Sequence, residues 1–131
     1  MILLDTHVLV WMVSAKNRLS RDAEREILKA DRGDGCAVAS ISIWELALLF
    51  QSGRLRGSGT VEASIREILD EAAVALLDIT PEIAALATMF PESYPKDPAD
   101  RLIGATARAL GLTLITQDEK ILRSPLIRTV W

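Results

Sequence analysis

Five short apolar runs punctuate the chain: Ile2 to Leu4, Cys36 to Ala39, Ala75 to Ile79, Leu112 to Ile115 and Ile127 to Val130. Runs this short and this continuously apolar predict buried strands of a parallel sheet, because a half-exposed strand would alternate apolar with polar residues. The stretches between them carry the three-and-four spacing of helices. Asp5 is placed to cap a helix over His7 to Val13, and Ser20 to cap one with Asp22 and Glu24 in its first turn and Ala23, Ile27 and Leu28 along one face. Ile43 to Gln51 reads as a strongly apolar helix that Gly53 can end in a left-handed conformation. Glu62 to Ala73 aligns Ile65, Ile68, Leu69 and Ala72. Thr80-Pro81-Glu82 and Asp97-Pro98-Ala99-Asp100 each open a helix with a cap, a first-turn proline and an acid, and Gly111 closes the second.

Strand and helix therefore alternate, with no repeat, no low-complexity tract and no linker long enough to set off a second domain. Parallel strands need crossovers, and helical crossovers cover both faces of the sheet. The predicted fold is α/β, a three-layer α/β/α arrangement around a central parallel sheet, as one domain over residues 1–131. Such sheets bind ligands beyond the carboxyl ends of their strands, so polar residues at those ends carry the most information.

Composition narrows the class further. Half of the 131 residues are hydrophobic and a quarter charged, a balance that supports a real core and excludes a disordered chain. One cysteine, Cys36, excludes an internal disulfide and a cysteine-rich zinc site and points to a reducing compartment. Asp5 interrupts the apolar start, and no basic residues precede it, so it does not read as a signal peptide. No other run is long and uncharged enough to span a bilayer. The expected location is cytoplasmic.

Fifteen basic against 18 acidic residues give a net charge of −3, which speaks against a nucleic-acid binder relying on bulk electrostatics. Four acids stand apart, however. Asp5 ends the first strand, Glu45 lies in IWELALLF, Asp100 in the first turn after DPA, and Asp118 follows the LTLI strand in ITQD. If bound cations neutralise these four, 15 bases face 14 remaining acids. Each acid alone has a structural explanation as a cap, a dipole partner or a turn residue. Together, from distant parts of the chain, they outline a site. Glu45 weighs most, because its apolar surroundings predict burial and no lysine or arginine lies between Asp34 and Gly53; a buried carboxylate there wants a cation. Carboxylates without histidine or cysteine partners suit Mg²⁺ or Mn²⁺ and not zinc. A Ser/His/Asp or Cys/His nucleophile has little to draw on, since His7 is the one histidine.

At this point the chain resembles PIN-domain ribonucleases and, within them, the VapC-type toxins of bacterial toxin–antitoxin pairs. The resemblance runs essentially end to end, through LLDTHVLVW, SISIWELALL followed by GRL, DPADRLIGATA and LTLITQDEKI. It implies an endoribonuclease that needs Mg²⁺ or Mn²⁺, with Asp5, Glu45, Asp100 and Asp118 as metal-holding and catalytic acids, and products bearing a 5′-phosphate and a 3′-hydroxyl. Thr6 and Thr116 match supporting hydroxyls, and Asp97 is read as helix cap first and outer ligand second. It also implies a homodimer and a partner antitoxin that inserts a C-terminal segment into or beside the acidic groove. One departure is SYPKDPADR, with Pro95 where close relatives often carry a histidine.

A divalent ion would activate a water in line with the phosphodiester and stabilise the charge that develops there. RNA also needs cations at the rim, for which Arg54, Arg56, Lys96 and Arg101 are candidates, Arg101 having Asp100 as a rival ion-pair partner. His7 is read as packing or hydrogen bonding at the helix start, with phosphate contact as the alternative, and Trp11 and Trp44 as core or subunit-interface residues. Two other functions compete: a catalytically silent RNA- or protein-binding module of the same fold, and a phosphoacceptor signalling domain using Asp78 beside Asp5. The second lacks the adjoining acid and the late-strand lysine it needs, with Thr6 and Gln117 in those neighbourhoods.

Overall fold

The computed structural model describes residues 1–131 as five strands and seven α-helices. In chain order these are β1 (Ile2–Leu4), α1 (Thr6–Ser14), α2 (Arg21–Asp31), β2 (Cys36–Ala39), α3 (Ile41–Gln51), α4 (Val61–Ala72), β3 (Ala75–Leu77), α5 (Pro81–Ala87), α6 (Pro98–Leu110), β4 (Thr113–Ile115), α7 (Glu119–Leu122) and β5 (Thr129–Val130). All strand pairings are parallel, in the order β3-β2-β1-β4-β5. The central strand pairs Leu4 with Val38 on one side and with Ile115 on the other. No helix is long and apolar enough to cross a membrane.

Side-chain alternation along these strands builds two cores. Ile2, Leu4, Cys36, Val38 and Ile115 point to one face, where Val8, Leu9, Ala23, Ile27, Leu46 and Ile68 from α1 to α4 cover them. Leu3, Ala37, Ala39 and Leu114 point to the other, against Ile83, Ile103, Ala107 and Ile121 from α5, α6 and α7. These are the expected three layers.

Three expectations need correcting. Burial on both faces holds for β1, β2 and most of β4 but not for the two edge strands: Ala75 and Leu76 of β3 are exposed, and Thr129 and Val130 of β5 are only half-buried. The third helix starts at Ile41, two residues earlier than its apolar pattern indicated, because Ser40 already has helical angles (φ −58°, ψ −28°). Glu45 consequently falls in the second turn, and no acid occupies the first, which weakens a dipole explanation for it. That helix is also far from buried: only Ser42 and Leu46 are, while Trp44 is 59% exposed.

The caps expected at Ser20 and Thr80 accept from the N–H three residues on, as does Thr60, a cap beyond those expected, and Gly111 closes α6 at φ 64°. Ala73, without glycine's freedom, takes the left-handed angle (φ 53°) at the end of α4.

Candidate active site

The strand order reverses between β1 and β4, the place where a doubly wound sheet opens a crevice beyond its strand ends. Asp5 leaves β1 there, its N–H bonded to Ile115 O at 3.0 Å. Thr116 leaves β4 beside it, fully buried, and donates its hydroxyl to Asp5 Oδ2 at 2.7 Å. The same hydroxyl accepts from the Asp118 N–H at 3.1 Å, so one oxygen locks two acidic residues in relation to each other. Asp5 Oδ1 accepts from the Thr6 N–H at 2.8 Å and caps α1. Asp118 Oδ1 caps α7 by accepting from Lys120 and Ile121 N–H.

Thr6 works in the other direction. Its buried hydroxyl lies 2.5 Å from Glu45 Oε1 and 2.8 Å from Ser42 Oγ. A hydroxyl has one proton, so Thr6 donates to the carboxylate and accepts from Ser42. On α6, Asp97 caps by accepting from Ala99 N–H at 2.8 Å, while Asp100 carries no cap bond. A capping box between the two is absent.

Asp5, Glu45, Asp97, Asp100 and Asp118 line one open cleft of about 520 Å³, together with His7, Val8, Trp11, Gln117 and Glu119. All four acids singled out from the sequence meet there, and Asp97 joins them. No lysine or arginine lines it. Burial, followed by the negative field of Asp5, Asp97, Glu45 and Asp118, pushes the Asp100 carboxyl up to about 7. Burial also raises Asp5, against the Thr116 and Thr6 hydrogen bonds that lower it, and raises Glu45 against the bond from Thr6. Carboxyls that share a pocket and lack basic partners favour a bound cation as neutraliser.

The donor set is all oxygen and no three of the acids converge as a ready-made cage. Such a site fits a hard divalent ion that keeps several waters and takes a few carboxylates, and does not fit zinc. Asp5, Glu45, Asp100 and Asp118 could hold it.

Residues missed in the sequence also shape the cleft. Ser42 stands three positions before Glu45, on the same helix face, which is a readable signal in hindsight. Tyr94 carries none: its buried hydroxyl donates to Asp100 O at 3.0 Å while its ring stacks on Phe90, centroids 4.1 Å apart. The small size of Gly104 makes room for that hydroxyl. Burial raises the Tyr94 phenol, keeping it protonated as a donor.

Other candidates fall elsewhere. Arg101 forms no ion pair with Asp100; its Nε donates to Pro95 O at 3.0 Å and a terminal nitrogen to Phe90 O at 3.3 Å. Lys96 is exposed and outside the cleft. The His7 ring is exposed, 6.0 Å from that of Trp11, rather than packed away. Trp11 is core, as expected, and Trp44 is surface. Asp78 ends the exposed edge strand, outside the acidic cleft.

Comparison with known proteins agrees with this geometry. The PIN domain family model matches residues 2–125. The chain is 40% identical to Ribonuclease VapC22 of Mycobacterium tuberculosis, over 99% of this chain and 98% of that one. Among solved structures it resembles VapBC2 from Rickettsia felis bound to a DNA fragment from their promoter, with a TM-score of 0.73 at 17% identity, covering 99% and 98% of the two chains. DNA-bound VapBC from Salmonella typhimurium gives 0.69 at 22% identity, with the same coverage. At these identities the solved structures establish the fold, whereas the family model and the curated relative establish descent, and the chain belongs to the PIN-domain family, with a VapC ribonuclease as a full-length relative.

Proposed function

We propose that this protein is a divalent-metal-dependent endoribonuclease, the toxin of a toxin–antitoxin pair, working in the cytoplasm as one domain over residues 1–131. The observation that carries the reading is the convergence of five carboxylates, those of Asp5, Glu45, Asp97, Asp100 and Asp118, on one cleft at the sheet's switch point that no lysine or arginine lines. Burial and the shared negative field raise the Asp100 carboxyl to about 7, an electrostatic cost that a bound cation relieves.

Mg²⁺ or Mn²⁺ bound there would lower the pKa of a water and offset charge developing on the phosphodiester. Asp5, Asp100 and Glu45 would hold it, directly or through waters, and Asp118 would close the site or help a second ion. Thr116 and Thr6 keep the carboxylates of Asp5 and Glu45 in one orientation, so the ligands are not reorganised when substrate arrives. Asp97 caps α6 and adds its charge to the field on Asp100. Helix α1, capped by Asp5, and helix α6, which carries Asp100 in its first turn, give two of the ligands rigid mounts.

The partners we assign are RNA as substrate, a cognate antitoxin and a second copy of the chain. Relatives of this fold have been solved as toxin-antitoxin complexes, one from Klebsiella pneumoniae among them. Trp44, exposed on α3, offers apolar surface of the kind protein partners cover.

The deciding experiment incubates purified protein with a structured RNA pool and Mg²⁺ or Mn²⁺, with EDTA, Asp5→Asn and Asp100→Asn as controls. Cleavage that leaves 5′-phosphate ends and disappears in all three controls is expected. Cleavage that survives chelation or either substitution overturns the mechanism. Expression should also arrest growth, and coexpression of a protein encoded beside it should relieve the arrest.

A further inference from the structure

An RNA strand entering a cleft of carboxylates needs positive and hydrogen-bonding groups just outside it. The structure sorts the four basic candidates. Arg101 is committed to the carbonyls of Phe90 and Pro95. Arg56 faces a different groove, with Ser58, Ser64 and Glu67. Lys96 lines neither groove nor cleft. Arg54 alone lines a groove that shares walls with the acidic site.

This second groove, about 360 Å³, has Thr6, His7 and Glu45 on its cleft side, and Gln51, Ser52 and Arg54 on its far side. His7 and Glu45 border both spaces, so the groove adjoins the acidic cleft. The three ion pairs of the protein engage the Met1 amino group, Arg25 and Arg66, which leaves the Arg54 guanidinium unpaired. Arg54 also has a stable mount. Gly53 takes φ 78°, turning the chain back after α3, and the Leu55 N–H donates to Leu49 O at 3.1 Å across the turn.

We infer that this groove receives the nucleotide adjoining the scissile phosphate in an unpaired segment of RNA, with Arg54 on its phosphate and the Gln51 amide on its base edge. The inference rests on the reading of the acidic cleft as a phosphodiester-cleaving site. A guanidinium presents several donors to phosphate oxygens. An amide has both a donor and an acceptor, which is what a base edge requires and what cations lack. In an A-form duplex the bases stay stacked and their major-groove edges are out of reach, so a groove that admits one base selects an unpaired strand. Gln51 is accordingly a determinant of cleavage-site preference, and Arg54 of affinity.

Two measurements test this. Fluorescence anisotropy in Mg²⁺ follows binding of a short fluorescein-labelled, unstructured RNA to protein carrying Asp100→Asn, so that the RNA stays intact. Adding Arg54→Ala should weaken binding about tenfold and reduce the slope of log affinity against log salt by about 0.7, the value of one lost single-strand phosphate contact. Arg56→Ala serves as the comparison and should change neither. Cleavage-site mapping on a randomised single-stranded RNA pool, with otherwise active protein, should show that Gln51→Ala loses base preference at one position beside the cut while Mn²⁺ affinity by calorimetry is unchanged. Equal salt slopes for the two arginine variants, or an unaltered flanking preference for Gln51→Ala, overturns the inference. If the unsubstituted protein cuts no RNA with either metal, it is the nuclease reading itself that fails.

Discussion

Thr116 Oγ1 donates to Asp5 Oδ2 at 2.7 Å, joining residues 111 positions apart in the chain at the point where the sheet changes direction. The bond holds one candidate metal ligand by means of a side chain that is itself wholly buried. Thr116→Val keeps the shape and removes the hydroxyl, so Mn²⁺ affinity measured by calorimetry should fall about 10–100-fold. Thr116→Ser should recover most of that loss. A valine variant that binds Mn²⁺ as tightly as the parent would show that the bond does not position the ligand.

Asp5 serves as a helix cap and as a candidate ligand, and two substitutions separate the roles. Asparagine caps as well as aspartate does, whereas alanine does not, at a cost of about 0.5–2 kcal/mol. In EDTA, Asp5→Asn should therefore melt at or above the parent, because a buried charge is gone, and Asp5→Ala should melt below Asp5→Asn. Both should lose RNA cleavage, as the EDTA control should. Retained cleavage in the asparagine variant alone would leave Asp5 a cap and nothing more.

Stability without metal should depend on pH with an unusual sign. The Asp100 carboxyl is raised to about 7 from an ordinary 3.8, so the folded state binds a proton that the unfolded chain has already released. Its contribution is fully present below the unfolded value and is lost as pH rises through about 7. Burial raises Asp5 and Glu45 in the same direction. Melting temperature in EDTA should fall as pH rises from about 4 to about 8, less steeply in Asp100→Asn, and saturating Mg²⁺ should flatten the decline at its upper end. Equal pH dependence in the parent and Asp100→Asn would remove Asp100 as the source.

A Cβ at Gly104 would overlap the Tyr94 hydroxyl that bonds Asp100 O, and crowd Ile127 and Phe90. Gly104→Ala should destabilise by about 1–3 kcal/mol in denaturant titration and weaken Mn²⁺ binding by disturbing the start of α6. Tyr94→Phe removes the overlapping oxygen, so the double variant should be less destabilised than the sum of the singles. Strict additivity would mean that the strain lies with Ile127 or Phe90 instead.

Alternation of apolar runs with helical patterns was enough to anticipate the α/β class, and the caps at Asp5, Ser20, Thr80, Asp97 and Gly111 were legible because they depend on neighbours within a few residues. The four acids stood out for a related reason: each interrupts or adjoins a local pattern that would otherwise be complete. Strand ends were less legible. The third and fifth runs continue in sequence beyond the residues that pair, since pairing depends on how far the neighbouring strand extends.

Tertiary structure decided what distance in the sequence conceals. Parallel pairing of β1 with β4 brings Thr116 to Asp5, and the packing of α3 beside α1 brings Ser42 and Glu45 to Thr6. Arg101 and Arg54 are both arginines beside a motif, yet one is spent on loop carbonyls and the other opens onto a groove. The amino-acid order determined which residues could carry charge and where elements begin. Which charges face one another, and how far the Asp100 carboxyl is driven up as a result, depends on separation and burial in space, and those come into being only when the sheet assembles.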